Sequence, residues 1–195
     1  MDTGAIYRTV GLAGERAGVN CSEFAAMQAL LPTLRIELVY DAAGEQRMLL
    51  NGEDVSDTIR LPEVSLLASR VSALPVVRAF LLDMQRSLAR TQSVVMDGRD
   101  IGTVVFPDAE LKLFMTADPK VRAVRRYEEL RARGDDVSLE EIERNIRARD
   151  RADQEREVSP LRMAPDAVVL NNSDMTLAQQ MEWIEPILEE KIRGI

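Results

Sequence analysis

The spacing of hydrophobic and polar positions changes several times along the chain, and each change predicts a new element. Residues 34–40 and 46–51 alternate between apolar and polar side chains, as half-buried strands do, and Gly44 lies in the short loop between them. Elsewhere apolar residues recur every three or four positions, as in amphipathic helices. The predicted helices cover 4–17, 22–31, 62–73, 75–90, 119–133, 138–157 and a last stretch from 176, and the predicted strands cover 34–40, 46–51, 93–97, 110–116 and 166–170.

The order of these elements predicts the fold class. After residue 92, strands and helices alternate, which favours an α/β fold with a parallel sheet flanked by helices. Residues 34–90 carry a hairpin and a helix pair of their own. We therefore predict a core domain made of residues 1–33 and 91–195, with residues 34–90 as an inserted subdomain.

Composition excludes several kinds of chemistry. The 195 residues include no His, which rules out histidine bases and imidazole metal sites, and the single Cys21 rules out an internal disulfide. The net charge of −8 argues against a nucleic-acid or membrane partner, and no apolar run is long enough to span a bilayer. A reducing, cytoplasmic location is the expectation.

Arginine is concentrated in one part of the chain. Of the 25 basic residues 22 are Arg, and 11 of these lie between Arg122 and Arg162. Guanidinium groups bind phosphate and carboxylate oxygens in pairs, so this stretch suits a small anion. Glutamates interleave with the arginines, so a solvated helix with Arg–Glu ion pairs explains the same pattern. Composition leaves both interpretations open.

A candidate site follows the strand predicted at 93–97, with the sequence Asp97-Gly-Arg99-Asp100. Ligands bind at the carboxyl ends of strands in open α/β sheets. An acid there can position a metal–nucleotide complex, Arg99 can hold a phosphate, and Asp100 can accept a hydrogen bond from an amino group. An ordinary turn with an Arg–Asp pair explains the segment equally well.

Two further segments have candidate chemistry on helices. Arg149, Asp153 and Arg156 are spaced i, i+4, i+7, so a helix would place them on one face, as a sugar phosphate requires. A salt-bridged, exposed helix is the alternative. The segment Asp2-Thr-Gly-Ala-Ile-Tyr-Arg8 places a hydroxyl, a phenol and a guanidinium at the start of a helix, which is a candidate anion-binding site.

Taken together, these segments resemble the bacterial type of cytidylate kinase, the family that phosphorylates CMP and dCMP with ATP. The resemblance runs in order through essentially the whole chain. The segments that carry it are DTGAIYR at 2–8, ASRVSALPVVR at 68–78, DGRDIGTVVFPDA at 97–109, RARDRADQER at 147–156 followed by SPL at 159–161, and PDAVVL at 165–170.

The resemblance implies how the base and the ribose are bound. Ser69, Arg78 and Asp100 match the positions that read cytosine, and Arg149 and Asp153 match the pair that contacts the ribose. A carboxylate accepts from the exocyclic amino group, while guanidinium N–H groups donate to the ring nitrogen and the carbonyl. Uracil lacks that amino group and would be disfavoured.

The resemblance also implies how the phosphates are bound. Thr3 and Tyr7 match residues beside the acceptor nucleotide, and Arg8, Arg99 and Arg156 match the binders of its α-phosphate. The lid over ATP would span about 119–157. The arginines in or beside this lid are Arg122, Arg125, Arg126, Arg131 and Arg133. The predicted catalytic residues are Asp97, Arg99, Arg125, Arg126 and Arg156.

The reaction that the resemblance implies is direct, in-line transfer of the γ-phosphoryl group of ATP to CMP or dCMP. Mg²⁺ would arrive with ATP, with no direct protein ligand unless Asp97 serves, and positioning and charge neutralisation would replace any histidine. The family is expected to be a cytoplasmic monomer whose 34–90 insertion binds the monophosphate. A kinase that prefers UMP is the rival within the enzyme class.

One motif of the family is missing. Its phosphate loop, G-x-x-x-x-G-K-[ST], cradles the ATP phosphates, and none of the three lysines here follows a glycine. The first strand of the P-loop fold is expected to be missing with it, which would leave open sheet edges. We expect the chain as written to bind ATP poorly and to fold marginally. An ordinary cytidylate kinase with a wrongly assigned start, a non-catalytic short form that binds CMP, and a decayed remnant are the three explanations.

Overall fold

The computed structural model describes residues 1–90 and 93–193, and the chain divides into two compact units. Unit 1 comprises Met1–Ile101 and Arg156–Pro160, and unit 2 comprises Gly102–Glu155 and Leu161–Ile195. The sequence-based division into 1–33 with 91–195 and 34–90 stays a prediction, and its limits at 91 and 195 lie outside the described residues. The helices are α1 (Thr3–Arg16), α2 (Phe24–Leu30), α3 (Pro62–Ser72), α4 (Pro75–Leu88), α5 (Pro119–Ala132), α6 (Leu139–Glu155) and α7 (Leu177–Arg193). The strands are β1 (Ile36–Tyr40), β2 (Gln46–Leu50), β3 (Glu53–Asp54), β4 (Leu113–Thr116) and β5 (Val168–Asn171).

Helix α1 lies in the hydrophobic core of unit 1. Its first turn is capped by Asp2, whose Oδ1 accepts from the Ala5 N–H at 3.1 Å. Gly11 packs closely on α3, because a Cβ at that position would lie 2.8 Å from the Cβ of Leu67. Gly18 follows the helix with a φ of 66°, the left-handed conformation that glycine adopts readily. The most deeply buried core side chains are Ile6, Val10, Met27, Leu31, Met48, Val55, Ile59, Val64, Val71, Val77 and Leu81.

The hairpin predicted around residues 41–44 is confirmed. β1 and β2 pair antiparallel, with Tyr40 opposite Gln46 at the closed end. Asp41 Oδ1 accepts from the N–H groups of Ala43 and Glu45, both at 2.9 Å, and so stabilises the turn. The short strand β3 extends the sheet on the other side of β2.

Unit 2 contains the parallel pair of strands that the sequence predicts. β4 and β5 pair in parallel, with Leu113 opposite Val168, and α5 and α6 lie between them in the chain. Asp118 caps α5 by accepting from the Lys120 N–H at 2.7 Å. Buried apolar residues join α5 to α6. The mixed α/β class with a parallel sheet and flanking helices is therefore confirmed.

The strand predicted at 93–97 is wrong. A strand needs a ladder of backbone hydrogen bonds to a neighbour. Among the residues that the structure describes, this segment makes one isolated parallel bridge, between Asp2 and Asp97. The Asp97 N–H donates to the Met1 carbonyl at 3.0 Å, and the Thr3 N–H donates to the Asp97 carbonyl at 3.3 Å. The apolar run at 93–97 therefore indicates an extended backbone, but it does not supply the neighbouring strand that a β-strand requires.

Several element boundaries also differ from the predicted ones. The second helix ends at Leu30 and continues as a 3₁₀ turn over Leu31–Thr33, which contains Pro32 in its first turn. A π-helical turn over Ile101–Val105 was not predicted from the sequence. Strand β4 begins at Leu113, three residues after the predicted start, and β5 is shifted to Val168–Asn171. The short strand β3 was not predicted.

Helices α3 and α4 are the most apolar pair of the chain. Considered together, they reach the length and hydropathy of a membrane span, but they are bent by 100° at their junction. In the described part of the chain no single helix is long and apolar enough to cross a membrane. Val64, Val71, Val77 and Leu81 of this pair belong to the core of unit 1.

Candidate functional site

Four polar side chains meet inside unit 1: Tyr7, Arg78, Gln85 and Asp100, here named the Arg78 cluster. The Nη2 of Arg78 donates to Oδ2 of Asp100, and these side chains are only 8% and 7% exposed. Its Nη1 donates to the carbonyl of Ser72 at 3.1 Å. The guanidinium carbon lies 5.5 Å from the centre of the Tyr7 ring, within the range of a cation–π contact.

The phenol of Tyr7 is tuned by its surroundings. Burial raises its pKa above the ordinary value, the positive charges of Arg78 and Arg156 oppose that rise, and the charge of Asp100 adds to it. A hydrogen bond with the side chain of Gln85 also lowers the pKa. Tyr7 is therefore a neutral phenol at pH 7, held between a guanidinium and an amide.

The sequence motifs did not identify Gln85 as a site residue. It is 2% exposed, and it lies seven residues after Arg78 on α4, which places both on one face of the helix. A buried amide needs hydrogen-bond partners, so a polar residue at that spacing on an apolar face was the available signal. Motif comparison alone did not single it out.

A second group lies at the start of α1, at Asp2, Thr3, Arg8 and Asp97. Arg8 Nη2 donates to Oδ2 of Asp2 at 2.5 Å. The Thr3 hydroxyl donates to the carbonyl of Asp97 at 2.6 Å, and Thr3 is 3% exposed. A Cβ at Gly98 would lie 2.5 Å from Thr3 Oγ1, so glycine is required for this approach. The structure thus joins the segment at 97–100 to the start of α1.

The pKa of the Asp97 carboxyl is raised above its ordinary value. Burial raises its pKa, and the nearby Asp2 carboxylate raises it further, while Arg8 opposes the shift. Among the residues that the structure describes, no three His, Cys, Asp or Glu side chains are grouped to hold a metal ion.

Two arginines carry buried donors that are not satisfied within the described part of the chain. The Nε atoms of Arg8 and Arg78 are buried and have no hydrogen-bond partner there. Leaving a buried donor unpaired costs about 1–3 kcal/mol, and native structures tolerate this at few positions. Both atoms belong to side chains that the resemblance assigns to the acceptor nucleotide.

Four of the arginines predicted in or beside the lid make contacts within unit 2. One of them is Arg133, whose Nη2 donates to Glu129 at 2.6 Å. Arg122 donates from both terminal nitrogens to the Asp150 carboxylate, at 3.1 and 2.6 Å, and so joins α5 to α6. Arg125 Nη2 donates to the carbonyl of Asn172 at 2.6 Å, and Arg126 Nη1 donates to Glu129 at 2.7 Å. Arg122 and Arg125 therefore stabilise unit 2 itself.

The predicted face of Arg149, Asp153 and Arg156 is only partly observed. Arg149 and Asp153 lie one turn apart on α6, exposed and half-buried respectively. The helix ends at Glu155, so Arg156 lies beyond it, and its Nε donates to the Ser159 carbonyl at 2.7 Å. Arg156 belongs to the segment of unit 1, where its charge acts on Tyr7.

Of the remaining predicted site residues, two are exposed and one is half-buried. Arg99 and Arg131 are exposed. Ser69 is half-buried on α3, and its carbonyl accepts from the Ser72 hydroxyl at 3.1 Å. The Ser72 carbonyl in turn binds Arg78, so the end of α3 is connected to the Arg78 cluster through the backbone.

Comparison with known proteins decides the family. A sequence model of the family described as cytidylate kinase matches residues 1–190. The chain belongs to the cytidylate kinase family. It is 47% identical over 191 residues to a cytidylate kinase of Syntrophotalea carbinolica, covering 98% of this chain and 81% of that protein. It is 43% identical to a cytidylate kinase of Phocaeicola vulgatus, covering 100% and 86%, and 45% identical to one of Geobacter sulfurreducens, covering 100% and 83%.

The resemblance predicted from the motifs is thus confirmed at the level of the cytidylate kinase family. The roles of individual residues stay predictions. Within unit 1, Tyr7, Arg78, Asp100 and Arg156 interact with one another. Arg149 and Asp153 lie in unit 2.

Proposed function

We propose that this chain carries the acceptor site of a nucleotide kinase and binds CMP or dCMP through the Arg78 cluster and Arg8. The observation that carries the proposal is the buried Arg78–Asp100 pair together with the unsatisfied Nε of Arg78. A buried ion pair adds little net stability, since desolvation offsets the attraction between its charges. Such a pair would instead serve to recognise a polar base.

The charges of the pair suit cytosine. Asp100 has two carboxylate oxygens that accept from an exocyclic amino group, and Arg78 donates to a ring nitrogen or a carbonyl oxygen. Uracil carries a carbonyl oxygen where cytosine carries its amino group, so an acceptor would face an acceptor. The resulting loss of hydrogen bonds in a buried site discriminates against UMP.

Arg8, Arg99 and Arg156 are proposed to neutralise the acceptor phosphate. Arg8 is held by the Asp2 carboxylate and keeps its buried Nε for a further acceptor. Guanidinium groups bind phosphate oxygens in pairs and keep their charge at any relevant pH. Three such groups would lower the repulsion between two phosphate-bearing substrates.

The proposed reaction is in-line transfer of the γ-phosphoryl group from MgATP to the phosphate of the monophosphate, without a covalent enzyme intermediate. Bound Mg²⁺ supplies charge neutralisation on the ATP phosphates. The protein would align the acceptor oxygen through base and phosphate contacts, while the arginines stabilise the developing charge. Asp97 is the carboxylate proposed to act beside the donor. We also propose a monomer that acts on free nucleotides in the cytoplasm.

We propose that the chain as printed binds CMP but transfers phosphate slowly. The printed sequence contains no G-x-x-x-x-G-K-[ST] segment, and backbone N–H groups with a lysine are what hold the ATP phosphates in P-loop kinases. Exposed apolar side chains on the parallel pair, Leu113, Met115 and Val169, agree with the expectation of an incomplete sheet. A non-catalytic CMP-binding chain is the second candidate that this observation favours.

The experiment follows CDP formation from CMP and ATP by ³¹P NMR, with the Geobacter sulfurreducens cytidylate kinase as the positive control. We expect the printed chain to bind CMP while forming CDP at least about 100-fold more slowly than the control, the scale of losing one set of charge-stabilising donors. Turnover equal to that of the control would contradict the slow-transfer proposal. Absence of CMP binding would contradict the acceptor site.

A further inference from the structure

The side-chain amide of Gln46 binds both polar groups of the Asp2 backbone. Gln46 is the first residue of β2, in the hairpin of unit 1. Its Oε1 accepts from the Asp2 N–H at 3.0 Å, and its Nε2 donates to the Asp2 carbonyl at 3.4 Å. An amide side chain has one acceptor and two donors, so it pairs with a peptide group much as a neighbouring strand does. The hairpin therefore fixes the position of Asp2.

The carboxylate of Asp2 in turn fixes Arg8. Its Oδ1 accepts from the Ala5 N–H at 3.1 Å and caps α1, while its Oδ2 accepts from Arg8 Nη2 at 2.5 Å. The Arg8 side chain is 22% exposed and that of Asp2 is 44% exposed, so water screens this pair only partly. A direct chain of contacts thus runs from Gln46 through Asp2 to the guanidinium of Arg8.

A small cavity lies beside this chain of contacts. Its volume is about 90 Å³, and its lining includes Asp2, Arg8, Gln46 and Arg60. Close packing therefore does not by itself hold the Arg8 side chain in place. Directed hydrogen bonds are the contacts that define its position, and those bonds begin at Gln46.

We propose that Gln46 is a positioning residue for the acceptor phosphate, acting on Arg8 through Asp2. The inference rests on the proposed function, in which Arg8 binds that phosphate. Gln46 itself does not touch the substrate in this account. Its loss removes the two hydrogen bonds from the hairpin to the Asp2 backbone, lets the Asp2–Arg8 pair shift, and weakens binding of the phosphate without changing recognition of the base.

The test measures dissociation constants of CMP and of cytidine by NMR chemical-shift titration, which covers millimolar affinities. The variant Gln46→Met keeps the length of the side chain and removes both hydrogen bonds. The control Arg47→Gln changes the next residue of β2, whose Nε pairs with Asp54 at 3.1 Å and with Asp41 at 3.8 Å. The variant Arg8→Ala and the double variant complete a double-mutant cycle.

We expect Gln46→Met to raise the dissociation constant of CMP about fivefold, the usual net effect of a hydrogen bond, and to leave that of cytidine unchanged. In the Arg8→Ala background the same substitution should have no further effect on CMP. A parallel loss of CMP and cytidine binding, or additive effects of the two substitutions, would overturn the inference and indicate a general structural role. Unchanged CMP binding in Gln46→Met would overturn it as well.

The two levels of the proposal fail in different ways. If the wild-type chain does not bind CMP, or if Arg8→Ala binds CMP as tightly as wild type, the proposed function fails and the inference falls with it. If wild type binds CMP and Arg8→Ala weakens that binding selectively, while Gln46→Met behaves like Arg47→Gln, the inference alone fails. Thermal unfolding of each variant confirms that the protein is folded under the titration conditions.

Discussion

Arg78 and Asp100 form an ion pair in the interior of unit 1, 22 residues apart in sequence and almost fully shielded from water. Arg78 comes from α4, and Asp100 follows the turn after Asp97. Neither side chain would be stable in this position alone, because an unpaired buried charge is strongly unfavourable. The pair therefore couples α4 to the Asp97–Asp100 segment.

Removing one charge of the pair should destabilise the fold. Asp100→Asn is expected to lower the free energy of unfolding by about 3 kcal/mol, because the guanidinium of Arg78 stays buried without its counter-charge. Urea denaturation followed by circular dichroism measures this change. Glu53→Gln is the matched control, since Glu53 binds Arg16 at 2.7 and 2.9 Å at the surface, where an ion pair contributes little. Equal effects of the two substitutions would show that the buried pair is not structurally important.

The phenol of Tyr7 should make stability fall at high pH. Its pKa is raised in the folded state, so the folded protein holds the proton more tightly than the unfolded chain does. The resulting stabilisation is fully present below the unfolded pKa of about 10 and is lost as the pH rises through the folded pKa. Denaturation of wild type and Tyr7→Phe between pH 8 and about 11 tests this, with Tyr40→Phe as a control for loss of an exposed phenol. A Tyr7→Phe variant with the same pH slope as wild type would contradict the assignment.

Asp97 should reduce stability at neutral pH. Its pKa is raised by burial and by Asp2, so folding favours the protonated carboxyl, and the charged form at pH 7 is unfavourable. Asp97→Asn is therefore expected to raise the melting temperature at pH 7. The gain should disappear as the pH falls below the unfolded pKa of 3.8, where both states are protonated. A destabilised Asp97→Asn protein at pH 7 would mean that the carboxylate makes a favourable contact in the folded state.

Gly14 should tolerate a side chain only if Cys21 is smaller. A Cβ at Gly14 would lie 2.6 Å from the Cys21 sulfur. Gly14→Ala is expected to destabilise the protein by about 1–3 kcal/mol through overpacking, despite the better helix propensity of alanine. In a Cys21→Ala background the penalty should largely vanish, whereas Gly11→Ala, which meets Leu67, should keep its penalty. Thermal denaturation of wild type, Gly14→Ala, Cys21→Ala and the double variant measures the coupling between the two positions. Additive effects of the two substitutions would contradict a close contact between Gly14 and Cys21.

Local signals in the sequence predicted most elements of this fold. Pro62, Pro75 and Pro119 lie in the first turns of α3, α4 and α5, and Asp118 caps α5, so each is a local signal of a helix start. Gly44 lies in the predicted turn. The prediction of a strand at 93–97 was wrong, because an apolar pattern does not indicate whether the segment has a neighbouring strand to pair with. Among the residues that the structure describes, the segment forms a single bridge, to Asp2.

The site shows the same division between local and long-range information. Motifs identified Tyr7, Arg78 and Asp100, and the structure brings these three together. The sequence did not identify Gln85 or Gln46. Their importance depends on long-range contacts: Gln85 binds Tyr7, which lies 78 positions earlier in the sequence, and Gln46 binds Asp2, which lies 44 positions earlier. Arg122 and Arg125 were assigned to the lid from their position, while their hydrogen bonds to Asp150 and to the carbonyl of Asn172 depend on the folded structure.

The most direct measurement is a parallel titration of the wild-type chain with CMP and UMP, followed by NMR chemical shifts. The two nucleotides differ at the base, where cytosine presents an amino group and uracil a carbonyl. We predict that CMP binds at least about tenfold more tightly than UMP, because only cytosine presents an exocyclic amino group to the Asp100 carboxylate. Equal affinity for the two nucleotides, or no binding of CMP, would contradict the assignment of the Arg78–Asp100 pair to cytosine recognition.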